Sequence, residues 1–332
     1  MSQFLAYQVS EEEGGAFSGA LINRSIAELP EGEVLIEVHY SSLNYKDALS
    51  ASGNRAVTRK FPHVPGIDAA GLVIESSDNK FSAGDKVIVT GYDLGMKTSG
   101  GFAQRIRVPS GWVSALPDGL SLKESMIYGT AGLTAGLCID KLLNSGLEPG
   151  DGKILVTGAT GGVGIIAISI LASLGFEISA STSKQEHREK LLKAGATDVV
   201  ERALFSEKNP KPMGKEEWAG AVDVVGGVTL VNILKTLRRG GSVAACGLVE
   251  SPALDATVMP FILRGINLLG VDSVELPLKS KIDIWGKLSA EWKPKNDLEA
   301  LCTEIGFAQL SDSLDTVLNG NAVGRYVLNV AL

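Results

Sequence analysis

Lys153-Ile-Leu-Val-Thr-Gly-Ala-Thr-Gly-Gly-Val-Gly-Ile-Ile-Ala-Ile-Ser-Ile-Leu171 decides the fold. Ile154 to Thr157 is a short apolar, β-branched run of the kind buried in a parallel sheet. Ile165 to Leu174 is long and apolar enough for a packed helix. Between them stand Gly158, Gly161, Gly162 and Gly164. Glycines there let the backbone turn sharply and approach a ligand closely, while the free N–H groups and positive dipole end of the helix face an anion. The stretch therefore predicts strand, turn and helix around a diphosphate seat. Its spacing, Gly-x-x-Gly-x-x-Gly, departs from the Gly-x-Gly-x-x-Gly fingerprint, so the setting between strand and helix carries the reading.

The next strand points to which dinucleotide. It is expected to end near Ala180 to Ser181, about 20 residues past the first glycine, where an NAD site presents an acid to the ribose hydroxyls. No acid stands there. Ser181, Thr182, Ser183 and Lys184 supply hydroxyls and a cation instead, a set suited to the 2′-phosphate of NADP.

Outward from this unit the strand–helix alternation continues from Lys153 to about Asp272. Strands are expected to Ser181 and at Thr197–Val200, Ala221–Val225, Ser242–Gly247 and Ile266–Val271, with helices at Glu186–Ala194 and Leu230–Arg238. The pattern is that of a doubly wound parallel sheet in an α/β protein. Ala203 to Lys215 is polar and reads as a surface loop. Before this unit, Phe4 to Pro117 reads as β: Val34–Tyr40, Gly71–Glu75, Lys86–Thr90 and Phe102–Val108 are short alternating runs punctuated by Gly and Pro, as in a partly open barrel. Ser121 to Leu143 reads as a helix with Ser121 and Glu124 as a capping box and Leu133, Leu137 and Leu142 in its apolar set. After Glu275 we expect helices at Leu278–Trp292 and Leu314–Leu318. A closing strand, Gly324–Leu332, is expected to return to the first domain.

Length and composition agree with two domains: 332 residues exceed most single cores. Thirty-one Lys and Arg stand against 38 Asp and Glu, a net charge of −7, which argues against a nucleic-acid or anionic-membrane surface as partner. No segment approaches a transmembrane span, and Met1 to Ser10 lacks the regions of a signal peptide. Cys138, Cys246 and Cys302 have neither disulfide-framework nor zinc spacing. A cytoplasmic location and a small-molecule substrate are expected.

Further motifs carry a resemblance. Asn44-Tyr-Lys-Asp47, Pro65-Gly-Ile-Asp-Ala-Ala-Gly71, Tyr128-Gly-Thr-Ala-Gly132, Trp218-Ala-Gly-Ala-Val-Asp223, Val258-Met-Pro-Phe-Ile-Leu-Arg264, Gly270-Val-Asp-Ser273 and Gly324-Arg325 resemble the zinc-free acryloyl-CoA reductase group of the medium-chain dehydrogenase/reductase superfamily. The resemblance runs through nearly the whole chain. It implies a GroES-like catalytic domain over residues 1–126 and 277–332, a Rossmann NADP-binding domain over 127–276, and a homodimer with a sheet continued across a two-fold axis.

It also implies roles, residue by residue. Thr160 to Val163 match the diphosphate turn, Thr182, Ser183, Lys184 and Arg202 the 2′-phosphate pocket, Leu248, Ile262 and Ser273 the nicotinamide side, and Arg325 the cleft. Zinc members carry a Cys where Asn44 to Asp47 stand and Gly-His-Glu where Gly66-Ile-Asp68 stands. His39, His63 and His187 have no partner at ligand spacing, so no zinc is expected. The implied reaction is hydride transfer from NADPH to the β-carbon of a 2-enoyl thioester such as acryloyl-CoA. Tyr45 is then expected at the nicotinamide, Asn44 as donor to the carbonyl, and Asp47 beside them, with capping of the helix that starts near Asn44 as the alternative role. A quinone acceptor, or a low-turnover NADPH-binding structural role, stays open on the sequence.

Overall fold

The computed structural model describes residues 3–295 and 297–332; the expected start of the first domain, at residue 1, lies outside the described residues. The chain divides into two compact units. One comprises Met1–Thr130, Val274–Ser289 and Leu298–Leu332, the other Ala131–Ser273 and Ala290–Asp297.

The second unit is built on a six-stranded parallel sheet. In spatial order its strands are Asp198–Glu201, Ile178–Thr182, Ile154–Val156, Trp218–Asp223, Leu237–Ala245 and Asn267–Gly270. Strand order reverses between Ile154–Val156 and Trp218–Asp223, which sit side by side although two other strands separate them in sequence. Such a switch point opens a crevice beyond the carboxyl ends of the strands, and the glycine turn follows Val156 there.

Helix Gly162–Ser173 buries every residue from Gly164 to Leu171. Each large apolar side chain so removed from water contributes about 1.5–3 kcal/mol, enough to hold a helix start against the turn.

Several expected boundaries move: helix Leu278–Trp292 ends at Ser289, helix Leu314–Leu318 begins at Leu310, and helix Glu186–Ala194 begins at Arg188. Leu230–Arg238 is observed as helix Gly227–Thr236, and strand Leu237–Ala245 begins at once, because Leu237 is fully buried and pairs with Trp218. Ala203–Ser206 forms one helical turn inside the expected loop, its Phe205 packed on Trp218 at 6.1 Å between centroids.

The first unit holds a seven-stranded sheet and the hairpin Gln3–Glu11/Phe17–Ser25. Strand Val34–Ser42 is its axis. One edge pairs with Asp68–Ser76. The other pairs with Arg105–Val108 along Val34–Glu37 and with Arg325–Asn329 along Tyr40–Ser42. A strand shared in this way bends the sheet toward closure, and Ile36, Val38, Phe102 and Ile106 fill the interior. The closing strand does join this unit, but as Arg325–Asn329, and a strand absent from the sequence reading, Cys302–Ile305, pairs parallel with it.

Helix Leu122–Asn144 has the expected cap: Glu124 Oε2 accepts Ser121 N at 2.8 Å, and Ser121 Oγ accepts Glu124 N at 3.1 Å. Gly129 interrupts it at φ 50°, ψ −154°. A Cβ there would lie 2.3 Å from Ser42 Oγ and 2.6 Å from Asp68 Oδ2, so only glycine lets the backbone come this close to the carboxylate.

Candidate active site

In the parallel-sheet unit the turn is tight because its own atoms touch. Gly161 N donates to Gly158 O at 2.9 Å, and a Cβ on Gly164 would lie 2.5 Å from that carbonyl oxygen. Asp223 supports the turn from behind. It is fully buried, accepts Thr157 Oγ1 at 2.6 Å and Gly226 N at 2.8 Å, and burial pushes its carboxyl upward. One carboxylate thus joins the residue before the glycine turn to the turn that follows the neighbouring strand.

The expected phosphate-reading residues converge beside it. Thr160 Oγ1 and Thr182 Oγ1 stand 3.4 Å apart, Lys184 N donates to Thr182 Oγ1 at 3.0 Å, and Arg202 N donates to Thr182 O at 3.1 Å. Strand Ile178–Thr182 ends without an acid, and burial lowers the Lys184 ammonium. A partly desolvated cation is stabilised by an anion brought to it, which suits a phosphate.

Leu248 lies next to Gly226, whose added Cβ would be 3.1 Å from Leu248 Cα. Ser273 Oγ accepts Thr134 Oγ1 at 2.8 Å. Ile262 is placed differently: it is 74% exposed on helix Met259–Arg264, with Val258, Met259 and Leu263 also exposed. That surface is an exposed apolar patch.

In the barrel unit, Asn44 precedes helix Tyr45–Ala51 as its N-cap. Tyr45, the first helical residue, is 45% exposed. Asn44 does more than cap. Its Nδ2 donates to Asp68 Oδ2 at 2.8 Å and lies 3.3 Å from both Asp47 Oδ2 and Ser42 O, so its amide hydrogens are engaged within the unit. That leaves no amide hydrogen for the carbonyl contact the resemblance implies.

Asp68 is the hub. Besides Asn44 it accepts Thr130 Oγ1 at 2.6 Å, Thr130 N at 2.9 Å and Ser42 Oγ. In the sequence Asp68 figures only as part of the Pro65–Gly71 motif, and nothing among its neighbours signals that four donors meet there. Asp47 is equally buried. It accepts Asn44 N at 2.8 Å, Ile67 N at 2.8 Å and Gly66 N at 3.1 Å. Burial and the charge of Asp68 nevertheless push Asp47 up to about 7.

Arg325 completes the network from the closing strand. It is buried, and Nε donates to Ile127 O at 2.9 Å, Nη1 to Leu43 O at 3.1 Å and Nη2 to Asn44 Oδ1 at 3.4 Å. All three nitrogens face protein atoms, so its observed place is behind Asn44 rather than on an open surface. Burial lowers it, with the charge of Asp68 opposing. Among the described residues no group of three or more His, Cys, Asp or Glu is placed to hold a metal ion. His63 is buried against Gly95 O at 2.9 Å, and burial lowers it.

Comparison with known proteins gives the family. Residues 30–118 match the alcohol dehydrogenase GroES-like domain, and residues 162–282 match the family described as zinc-binding dehydrogenase. The chain is 43% identical over 320 residues to acrylyl-CoA reductase AcuI of Ruegeria pomeroyi, covering 96% of this chain and 97% of the relative. The chain belongs to the zinc-free branch of the medium-chain dehydrogenase/reductase superfamily.

Within this superfamily, the yhdH oxidoreductase of Salmonella enterica, solved with NADP, superposes with a TM-score of 0.95 at 40% identity, covering 99% of this chain and 100% of that one. The Bacillus subtilis protein yhfP, solved with NAD bound, gives 0.96 at 40% identity with the same coverage. A quinone oxidoreductase of Sus scrofa is 29% identical over 221 residues, 65% of either chain. The superfamily match named for zinc binding falls on a chain in which Asn44 and Asp68 are bonded to each other.

Proposed function

We propose that this protein is an NADPH-dependent, zinc-independent oxidoreductase that reduces the activated C=C bond of a 2-enoyl thioester, with acryloyl-CoA going to propanoyl-CoA. The observation that carries the reading is the convergence of Thr160, Thr182, Lys184 and Arg202 at the acid-free end of strand Ile178–Thr182. The 43% identity to acrylyl-CoA reductase AcuI supplies the acceptor. NADP would lie with its diphosphate on Thr160 to Val163 and its 2′-phosphate at Thr182, Ser183 and Lys184. When bound it supplies the hydride.

The chain's own residues do the rest. Leu248 and Ser273 flank the nicotinamide side, Tyr45 offers a ring to stack and a hydroxyl to donate, and the Asn44–Asp68–Arg325 network fixes the helix start from which Tyr45 projects. Asp47 holds that start through the Asn44 N–H. Hydride addition to a conjugated C=C places charge on a carbonyl oxygen, where hydrogen-bond donors suffice. In this reading the barrel unit is the catalytic domain and the parallel-sheet unit the NADP-binding domain.

We place the reaction in the cytoplasm, on the three free cysteines. No helix among the described residues is long and apolar enough to cross a membrane. We also propose a homodimer. Strand Asn267–Gly270 is paired on one side only, and an apolar edge beside exposed Val258, Met259, Ile262 and Leu263 invites a second copy. A monomeric mass by light scattering at micromolar concentration would count against it.

The deciding experiment is steady-state NADPH oxidation with acryloyl-CoA beside a quinone, before and after exhaustive chelation. Turnover of the thioester that survives chelation is expected. Turnover of the quinone alone would make this a quinone oxidoreductase, and turnover of neither would leave an NADPH-binding structural protein.

A further inference from the structure

Residues 48–67 contain no Asp or Glu, in a chain of net charge −7. The acids that bound the stretch, Asp47 and Asp68, are both fully buried. Its cations, Arg55, Arg59 and Lys60, are all exposed. The loop that presents them is fixed. Ser50 Oγ and Thr58 Oγ1 form a buried bond of 2.7 Å to the helix, Asn54 Oδ1 accepts Ala56 N at 2.9 Å, and Asn54 O accepts Thr58 N at 3.0 Å.

Arg55 is held more firmly than an exposed arginine needs to be. Its Nη2 lies 2.6 Å from Glu11 Oε2 and its Nη1 donates to Arg59 O at 3.0 Å. The guanidinium sits 5.1 Å from the Phe61 ring centroid and 5.5 Å from that of Phe17. Glu11 offsets its charge, yet the side chain stays 49% exposed, leaving a flat face of the kind on which a base stacks. Arg59 and Lys60 form no ion pair among the described residues, and the neighbouring cation Lys97 is paired with Asp93 at 2.8 Å. Two uncompensated cations beside a prearranged guanidinium make a seat for a phosphorylated nucleoside.

The loop follows helix Tyr45–Ala51, seven residues long, so Tyr45 lies about 10 Å from the helix end. A pantetheine arm bridges such a distance.

We propose that loop 54–60 binds the nucleotide end of the acyl-CoA substrate, with Arg59 and Lys60 on its phosphates and the adenine on the outward face of Arg55. The proposal rests on the thioester reading above. Binding is tested on NADP-saturated protein and turnover at saturating NADPH, so that CoA cannot occupy the dinucleotide seat. Binding of free CoA and dephospho-CoA is measured by calorimetry, and KM is measured for acryloyl-CoA and for acryloyl-pantetheine, which lacks the nucleotide.

In the Arg59→Glu/Lys60→Glu variant, the Kd for CoA and the KM for acryloyl-CoA should rise on the order of tenfold, with a smaller rise for dephospho-CoA. KM for acryloyl-pantetheine and kcat should stay unchanged. A parallel rise for acryloyl-pantetheine, or no change for CoA, overturns the site. So does wild-type protein that uses both thioesters equally well, which leaves the reaction standing. CoA binding that depends on Arg59 and Lys60 without turnover of any enoyl thioester leaves the site standing and sinks the reaction.

Discussion

Asn44 gives an amide hydrogen to Asp68 at 2.8 Å, so the cap of helix Tyr45–Ala51 is bonded to the first residue of strand Asp68–Ser76. The Asp68 carboxylate is met by four donors of the protein itself. What this arrangement fixes is the start of helix Tyr45–Ala51, and with it Tyr45.

Tyr45→Phe separates two roles for that side chain. If the hydroxyl donates in the transition state, its loss should lower kcat on the order of 10²-fold while NADPH affinity changes little, since the ring remains. Near-full kcat in the Phe variant would leave solvent as the proton source.

Lys184→Ala should weaken NADPH binding by about 1–3 kcal/mol, the range for a charge-assisted contact, with NADH nearly unaffected. Titration by nucleotide fluorescence reads both. Equal losses for the two would show that Lys184 does not read the 2′-phosphate.

Asp47 makes stability depend on pH. Its carboxyl is raised from 3.8 in the unfolded chain to about 7 in the fold, so between about pH 4 and pH 7 the folded state retains a proton that the unfolded state has lost. Stability from this group is full below pH 4, falls as pH rises through that window, and is flat above it. Asp47→Asn should therefore shrink the difference in Tm between pH 5 and pH 8. An unchanged difference by calorimetry would show that Asp47 ionises normally.

Gly129→Ala should destabilise the barrel unit by about 3 kcal/mol or more, because φ 50°, ψ −154° is a region alanine rarely enters and the methyl would press on Asp68. Urea unfolding measures the loss. A variant within about 0.5 kcal/mol of wild type would mean that the helix can straighten without cost.

The dinucleotide seat is legible in the sequence because it is local: the strand, the turn, the helix and the acid-free strand end lie within residues 153–184. The network around Asp68 is not. Asn44 and Arg325 are 281 residues apart, and neither carries a local signal of the other. Asn44 looks like a helix cap and Arg325 like the first residue of a strand, and each is that as well. Strand Cys302–Ile305 escapes for a different reason. Its Thr303 and Glu304 are exposed, so the run has no apolar alternation to read, and the buried backbone of Arg325–Asn329 beside it makes it a strand.

The position of Arg325 also sets a timetable. Chains emerge from the ribosome amino end first, and a unit closes when its last strand is available. Residues 131–273 are complete long before Arg325 is made. Until residue 325 appears, Leu43 O and Ile127 O lack their donor and Asp47 and Asp68 lack their cation. The strands of the parallel sheet, which end at Gly270, are thus all made before the barrel's closing strand exists, and the Asn44 network waits for Arg325.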